Sequence, residues 1–268
     1  MGQTGRMRIA VVGHVEWVHF VRLGHMPEAG EIVHALDGWE EPGGGGAVAA
    51  AELARLGASV ELFTALGDDE LGRRAHEQLS ALGVRMHVQV RDEPTRRAVT
   101  MVDGDGERTI VVLSEKLLPS GPLPDLDGFA GVDFVSGNVA ALRSARAAPV
   151  VVAAARELAM LREARVKLDA LVGSASDPGE RHEPGELDPP PDLVVTTSGA
   201  RGGTVEPGGL TFDAAPVAGP LVDAYGCGDC FAAAFTLALA QGTELPEALA
   251  LAARSGAAAL ARRGAHGL

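Results

Sequence analysis

The sequence predicts an α/β fold built on a doubly wound, mostly parallel sheet flanked by helices. Short apolar runs that suit buried strands alternate with longer segments that suit helices, and this alternation is typical of parallel sheets. The chain has 268 residues, which is long enough for one large domain with a sizeable core. Aromatic residues make up only 4% of the sequence, so alanine, valine and leucine must supply most of the packing.

The first half of the chain supplies strands, two helices and a hairpin. Glycines end both predicted helices, at Gly57 and Gly83, since glycine is the usual residue after a helix C-terminus. The sequence Asp-Gly-Asp-Gly at residues 103–106 joins two short β runs and predicts a hairpin. The predicted strands are residues 8–13, 60–64, 98–102 and 109–113, and the predicted helices are residues 47–56 and a segment from Asp68 or Asp69 to about Leu82.

The second half of the chain alternates between strand and helix. Residues 177–191 interrupt this pattern with five prolines and several charges, so they predict a surface loop between two strands. The predicted strands are residues 132–136, 150–153, 170–172 and 193–197, and the predicted helices are residues 140–147, 156–165, 230–241 and 246–262.

The bulk properties exclude several classes of partner. The formal net charge of −13 argues against a nucleic-acid surface, because no basic block offers a footprint for phosphates. The N-terminal segment lacks the apolar region of a signal peptide, and no apolar run reaches membrane-spanning length. We therefore expect a cytoplasmic protein with neither nucleic-acid nor membrane partners.

The most informative stretch is the turn Gly226-Cys227-Gly228-Asp229, which opens an apolar helical run. Small residues leave backbone N–H groups unshielded, and a helix N-terminus adds partial positive charge, so this turn suits an anion. A carboxylate base beside an anion cradle is what phosphoryl transfer to a hydroxyl needs, and Asp229 provides that base. The plainer alternative is a glycine-rich turn in which Asp229 caps the helix.

The two cysteines allow a different interpretation. Cys227 and Cys230 have the C-x-x-C spacing of thiol oxidoreductases at the start of a helix. The chain has no other cysteines, so a second pair for a structural zinc site is missing. A thiol redox function stays an alternative, and it requires a reversible disulfide between these two residues.

Several stretches resemble the signatures of the ribokinase-like (PfkB) carbohydrate kinases. Residues 223–229 (DAYGCGD) resemble the family's D-T-x-G-A-G-D, and residues 43–57 (GGGGAVAAAELARLG) resemble its G-G-x-x-x-N-x-A-x-x-x-A-R-L-G. Weaker matches occur in the family's order, at residues 27–31 (PEAGE), 106–110 (GERTI) and 195–202 (VTTSGARG). Together these matches span nearly the whole chain and are specific, although each of the weaker ones alone is not.

The resemblance implies a fold and an activity. It implies a single ribokinase-like domain over residues 1–268, with a small β lid inserted from about residues 14–40 and 90–113. It also implies ATP-dependent phosphorylation of a hydroxyl on a small sugar or sugar-like metabolite, with Mg²⁺ bridging the phosphates and K⁺ as an additional cation. A homodimer that forms through the lid is expected as well.

The resemblance also assigns roles to residues of the matching motifs. Asp229 is expected to accept the proton of the acceptor hydroxyl. Asp223 is expected either to help shape a monovalent-cation site or only to fix the turn. The expected anion hole is Gly226, Cys227 and Gly228, the expected nucleotide loop is Thr197, Gly199 and Gly202, and the expected substrate contacts are Gly43, Gly44, Glu16, Val18 and Val48.

Departures from the family pattern change the expected site. Val18 stands where the family has an aspartate, and Val48 stands where it has an asparagine, so the acceptor should present an apolar or less hydroxylated face to these valines. The family's N-x-x-E motif is lost, and Asp177 or Glu180 could replace its glutamate only approximately. These departures support an alternative, a catalytically weakened nucleotide- or sugar-binding or regulatory protein with the same fold.

Overall fold

In the computed structural model, residues 6–124 and 126–267 are described, and their strands form two sheets. The strands are β1 Arg8–Val12, β2 Glu16–Arg22, β3 Asp37–Gly43, β4 Ser59–Gly67, β5 Arg85–Arg91, β6 Arg97–Val102, β7 Arg108–Val112, β8 Gly131–Phe134, β9 Val150–Ala154, β10 Ala170–Ser174, β11 Leu193–Thr197, β12 Gly203–Glu206 and β13 Leu210–Phe212. The helices are α1 Gly45–Arg55, α2 Glu70–Ala81, α3 Val139–Ala145, α4 Leu158–Ala164, α5 Cys227–Ala240 and α6 Leu245–Leu260.

The large sheet has nine strands in the order β13-β12-β11-β10-β9-β8-β1-β4-β5. Its strands pair in parallel from β11 to β5, and the two strands at the other edge pair antiparallel. The order reverses direction at β1, as in a doubly wound sheet. The predicted fold class is therefore confirmed. Among the described residues, no helix has both the length and the apolarity needed to cross a bilayer.

Helices cover both faces of the large sheet. Strand β1 illustrates why the central strands of this sheet carry apolar residues on both of their faces. Ala10 and Val12 of β1 belong to one buried cluster, which also holds the inner side chains of α3 and α4. Ile9 and Val11 point to the opposite face and pack with α1, α2 and α5. Alternate residues of a strand face opposite sides, so a strand between two helical layers needs apolar residues at every position.

The small sheet has four strands in the order β3-β2-β6-β7 and forms the lid. The pair β6–β7 is antiparallel, which confirms the predicted hairpin at residues 103–106. The inner face of the lid contributes Val18, Phe20 and Ala98 to a buried cluster that includes Tyr225, two residues before α5. The lid is thus packed directly on the turn that carries the predicted anion hole.

Five strands were not predicted individually. Two of them, β2 and β3, lie in or overlap the expected lid segment at about residues 14–40. The sequence of β5, RMHVQVR, has no apolar run, and most of its residues are half-buried at the edge of the large sheet. It overlaps the expected lid segment at residues 90–91, which belong to the large sheet instead. Strands β12 and β13 have four and three residues and form a short antiparallel edge, too short to give a strand signal.

The helix limits differ slightly from the predicted ones. Helix α5 begins at Cys227, three residues before the predicted start at residue 230, because the glycine turn itself opens the helix. A 3₁₀ turn at Ala155–Glu157 precedes α4, so the predicted helix at 156–165 begins later, at Leu158. Asp69 caps α2 by accepting a hydrogen bond from the Gly72 N–H at 2.7 Å. Residues 177–191 form a loop between β10 and β11 with one 3₁₀ turn at Pro178–Glu180.

The contact between β1 and α1 predicts a stability effect. A methyl group on Gly46 would lie 2.7 Å from the backbone carbon of Gly13 and 2.8 Å from the carbonyl oxygen of His14. Backbone atoms cannot move aside cheaply, so Gly46→Ala is expected to lower the free energy of unfolding by about 1–3 kcal/mol. Gly24→Ala is the control, because a methyl group there meets no described atom within 4 Å. Equal denaturation midpoints for both variants and the wild type would contradict the close approach.

Candidate active site

The site begins at the turn that opens α5. Gly226 has a left-handed backbone conformation with φ of 72°, and a methyl group on it would lie 2.7 Å from Val48 Cγ1. Both facts require glycine at this position. A methyl group on Gly228 would meet no described atom within 4 Å, so the helix N-terminus is open on that side. The turn therefore combines an enforced conformation at Gly226 with open space beside Gly228, which suits an anion site at a helix N-terminus.

Asp229 lies in the first turn of α5, and its side chain keeps 20% of its surface exposed. A methyl group on Gly45, the first residue of α1, would lie 2.7 Å from Asp229 Oδ1 and 2.6 Å from Val135 Cγ1. The two glycine segments predicted from sequence thus meet at this carboxylate. Asp229 is open enough to contact a ligand, and the glycine loop leaves room beside it.

Arg156 is a functional candidate that the sequence did not single out. It follows β9, and its guanidinium lies 3.9 Å from Asp229 Oδ1 and 2.8 Å from Glu180 Oε1. Asp229, and next Glu180, raise the pKa of Arg156, so it stays charged. Glu180 also accepts a hydrogen bond from the Ser174 N–H at 3.0 Å. Arg156 therefore joins the predicted base to Glu180, one of the two carboxylates that could approximately replace the lost family glutamate.

The residues present fit Mg²⁺ only as a partner of bound phosphates. In the described part of the chain, no three or more His, Cys, Asp or Glu side chains are grouped so as to hold a metal ion. Mg²⁺ commonly binds one or two carboxylates together with substrate phosphates, so a complete protein cage is not required. Asp177 and Glu180 supply carboxylates close enough to Arg156 to raise its pKa.

Asp133 is a buried acid beneath the site. It lies on β8 with 1% of its surface exposed, and its Oδ2 has no hydrogen-bond partner among the described residues. Burial, and then the charge of Asp229, raise the pKa of Asp133 to about 8. At neutral pH the carboxyl is therefore largely protonated, which avoids a second negative charge close to Asp229.

The glycine loop before α1 contacts the chain that follows β1. Gly44 has a φ of 85°, and a methyl group on it would lie 3.0 Å from the ring of His14. The backbone N–H of His14 donates to Ser136 Oγ at 3.0 Å, and its ring Nδ1 lies 3.1 Å from the same oxygen. Burial lowers the pKa of His14 well below its usual range, and the charges of Lys116, Arg96 and Arg156 lower it further. The imidazole is therefore neutral.

Tyr225 is the second residue that the sequence did not single out. Its hydroxyl accepts a hydrogen bond from the Gly44 N–H at 2.8 Å and donates one to Glu16 Oε1 at 3.2 Å. The other oxygen of Glu16 lies 2.7 Å from Arg96 Nε. The ring packs edge-on against Phe20, with ring centroids 5.0 Å apart. Glu16, expected to contact substrate, is thus held inside the protein with 5% of its surface exposed.

Val18 and Val48 are not exposed at the surface of the site. Val18 and Val48 are 0% and 1% exposed, and both belong to the cluster that contains Tyr225. The expectation that they face the acceptor directly needs correction, because the phenol ring of Tyr225 and the glycine backbone cover them. His19, a further neighbour on β2, is exposed and pairs with Glu40 at 3.2 Å.

Asp223 fixes the turn before α5. Its two carboxylate oxygens accept backbone hydrogen bonds, from the Tyr225 N–H at 2.8 Å and the Gly264 N–H at 3.1 Å. Burial raises its pKa, and the two N–H groups act against that rise. These contacts account for the turn-fixing role, and the monovalent-cation role of Asp223 stays a prediction.

The predicted nucleotide loop follows β11. Thr197 ends this strand, and its hydroxyl donates to the Gly173 carbonyl at 3.2 Å. Gly199 and Gly202 both have left-handed backbone angles, with φ of 58° and 78°. A methyl group on Gly202 would collide with the Phe212 carbonyl, whereas one on Gly199 would meet no described atom within 4 Å. Gly202 thus has a structural role, and Gly199 faces open space.

The cysteines do not have the surroundings of a redox pair. Cys230 is buried and Cys227 is half-buried, and both are free thiols. Burial raises the pKa of each thiol. A protonated thiol is a poor nucleophile, so this environment opposes thiol–disulfide chemistry.

Several known proteins of similar sequence or structure are carbohydrate kinases. A model of the pfkB family carbohydrate kinases matches residues 6–122 and 144–267. The chain is 28% identical to a ribokinase of Bacillus subtilis (strain 168), over 97% of this chain and 94% of the relative. Its structure is similar to a ribokinase of Cryptococcus neoformans var. grubii serotype A in complex with ADP, with a TM-score of 0.77, 27% identity and coverage of 97% and 96% of the two chains. It is also similar to a microbiome-derived acarbose kinase, with a TM-score of 0.82, 25% identity and coverage of 97% and 95%.

The buried acid predicts a pH effect on stability. Because the pKa of Asp133 rises from about 3.9 in an unfolded chain to about 8, the folded state binds more protons between these values. Its contribution to the free energy of unfolding therefore falls as pH rises from about 4 to about 8. Asp133→Asn is expected to remove this fall, so its melting temperature should exceed that of the wild type increasingly towards pH 8. Asp105→Asn, an exposed control, should follow the wild type at every pH. A constant difference between Asp133→Asn and the wild type across this range would refute the assignment.

Proposed function

The chain belongs to the pfkB family of carbohydrate kinases, and we propose that it transfers the γ-phosphoryl group of ATP to a hydroxyl of a small sugar or sugar-like metabolite. The observation that carries this proposal is the position of Asp229. It stands in the first turn of a 14-residue helix, beside an open glycine turn and against the second glycine loop. A base, an anion site and room for an acceptor are thus combined at one point.

Asp229 is proposed as the general base. Its carboxylate accepts the proton of the acceptor hydroxyl while that oxygen forms a bond to the γ-phosphorus. The bond from this phosphorus to the bridging oxygen breaks at the same time, and ADP leaves. The guanidinium of Arg156, 3.9 Å from Asp229 Oδ1, places a positive charge beside this carboxylate.

The N–H groups of Gly226, Cys227 and Gly228 are proposed to stabilise the charge on the transferring phosphoryl group. Helix α5 adds the partial positive charge of its N-terminus at the same place. Arg156 is 47% exposed and supplies a full positive charge beside Asp229 and Glu180. The family's N-x-x-E motif is lost in this chain. We propose that Arg156 neutralises phosphate charge instead, a role that the family pattern does not assign to a residue here.

The family implies ATP and usually Mg²⁺, which neutralises phosphate charge when bound. We propose Asp177 and Glu180 as the carboxylates that approach Mg²⁺, and Thr197, Gly199 and Gly202 as the nucleotide loop. Gly43 and Gly44 remain proposed contacts of the acceptor. A K⁺ site at Asp223 and a cytoplasmic location remain predictions. The alternative of a binding or regulatory protein is not favoured, since the matching family and the relatives are kinases.

We propose that two copies of the chain associate through the lid. Strand β7 lies at the edge of the small sheet, with β6 as its neighbour on one side. All five of its residues are exposed, and Ile110, Val111 and Val112 are 41–48% exposed. An exposed apolar edge strand is a site for pairing with another chain, and a second copy offers the same edge.

Replacing the proposed base tests the function. Asp229→Asn is expected to lower kcat by about 10²–10⁴-fold, the usual scale for a lost general base, when ATP consumption is assayed across sugars and polyols. ADP affinity, measured by calorimetry, should change little, because Asp229 acts on the acceptor. Asp105→Asn is the matched control and should retain full activity. Near wild-type turnover in Asp229→Asn would rule out Asp229 as the base.

A charge in β7 tests the dimer. Val111→Asp is expected to convert the dimer to a monomer in sedimentation velocity, because a carboxylate in an apolar interface is strongly unfavourable. Val90→Asp is the control, since Val90 is 62% exposed on β5 at the edge of the large sheet. The proposal fails if the wild type is monomeric, or if Val111→Asp leaves a dimer intact.

A further inference from the structure

The chain has one tyrosine, Tyr225, and its hydroxyl accepts a hydrogen bond from a backbone N–H that could otherwise bind a ligand. Glycine loops beside an active site normally leave their backbone N–H groups free for a bound molecule. Here the Gly44 N–H donates to Tyr225 Oη at 2.8 Å. This loop lies next to the predicted base, because its neighbour Gly45 faces Asp229. The protein therefore fills, with its own phenol, a hydrogen-bonding position next to Asp229.

The same ring fills the space below the glycine loop. A methyl group on Gly43 would lie 2.6 Å from Tyr225 Oη and 2.6 Å from Val18 Cγ2. Tyr225, Val18 and Val48 are 6%, 0% and 1% exposed. No room is left between the loop and these side chains for a sugar ring. The glycines of this loop are buried, and the accessible groups beside it are the side chains of Asp229 and Arg156, which are 20% and 47% exposed.

Further contacts hold the phenol in place. It donates to Glu16, which pairs with Arg96 at 2.7 Å, and the side chains of these two residues are only 7% and 13% exposed. Phe20 contacts the ring edge and is itself stacked on Trp39, with centroids 4.9 Å apart. A ligand that displaced the phenol would leave the buried Glu16 without this donor, which is costly unless the ligand replaces it.

We propose that Tyr225 is a specificity-determining residue, which closes the lid side of the acceptor site and restricts the enzyme to compact acceptors. This inference rests on the proposed function, because it concerns the acceptor of the same reaction. Such an acceptor reaches Asp229 with a short hydroxylated chain and does not insert a five- or six-membered ring between the glycine loop and Val18. Glycerol and ribose serve as the short-chain and ring-forming probes.

The first experiment compares two variants of one residue. Tyr225→Ala removes the ring, and Tyr225→Phe keeps the ring but removes the hydroxyl. Tyr225→Ala is expected to raise the ratio of kcat/KM for ribose to that for glycerol by about tenfold or more, the scale of opening a pocket by one group. Tyr225→Phe should leave this ratio within about threefold of the wild type, since the ring still blocks the space. A folded Tyr225→Ala with an unchanged ratio overturns the proposal.

The second experiment needs no variant and no turnover. Biosynthetic 3-fluorotyrosine places one ¹⁹F label in the wild-type protein, because Tyr225 is the sole tyrosine. Ribose should cause no saturable shift of this resonance, and titration calorimetry should detect no ribose binding. A saturable ribose-dependent shift means that a pentose enters beside the phenol, and it overturns the proposal even if Tyr225→Ala does not fold. Failure of the proposed function has a different signature, namely wild-type turnover in Asp229→Asn.

Discussion

The close approach of glycine backbones is the constraint on which this structure depends. Gly46 lies against Gly13 so tightly that a single methyl group would overlap backbone atoms, and this contact sets α1 against the end of β1. Gly45 then faces Asp229, and Gly226 faces Val48, so the starts of α1 and α5 are fixed relative to each other. The anion site and Asp229 lie 180 residues or more after the glycine loop in the sequence. Close contacts of this kind are therefore needed to bring them beside that loop. The glycines thus have a packing role as well as a role towards ligands.

The acids near the glycine turn have different surroundings. Arg156 lies between Asp229 and Glu180, 3.9 Å from Asp229 Oδ1 and 2.8 Å from Glu180 Oε1. Asp133, buried behind the site, has its pKa raised to about 8 by burial and by the charge of Asp229. Asp133 is therefore largely protonated and buried, whereas the side chain of Asp229 is 20% exposed beside Arg156, so Asp229 is the acid placed to act as the base. His14, kept neutral by burial, adds no charge to this arrangement.

Local patterns predicted most of the fold, whereas contacts between distant segments could not be predicted. The hairpin at residues 103–106, the α2 cap at Asp68 or Asp69 and the turn at Gly226 each depend on neighbouring residues, and each was identified; the cap is Asp69. Strand β5 was missed because its polar sequence forms a strand only when β4 offers its free edge. Tyr225 and Arg156 were missed for a related reason. Their roles depend on Gly44, Glu16, Glu180 and Asp229, which fold topology brings near and sequence spacing does not reveal.

Tyr225 gives a physical reason for the two valines that depart from the family pattern. Val18 and Val48 pack in one buried cluster with the phenol ring, and Val48 also contacts Gly226. An aspartate at position 18 would be buried among Val48, Phe20 and the ring, where an unpaired charge is strongly unfavourable. An asparagine at position 48 would leave its amide without partners against the same surface. The tyrosine therefore requires apolar neighbours at both positions, so the three residues act as one unit. Glu16 is buried beside the same ring but keeps polar partners, because it accepts a hydrogen bond from the phenol hydroxyl and pairs with Arg96.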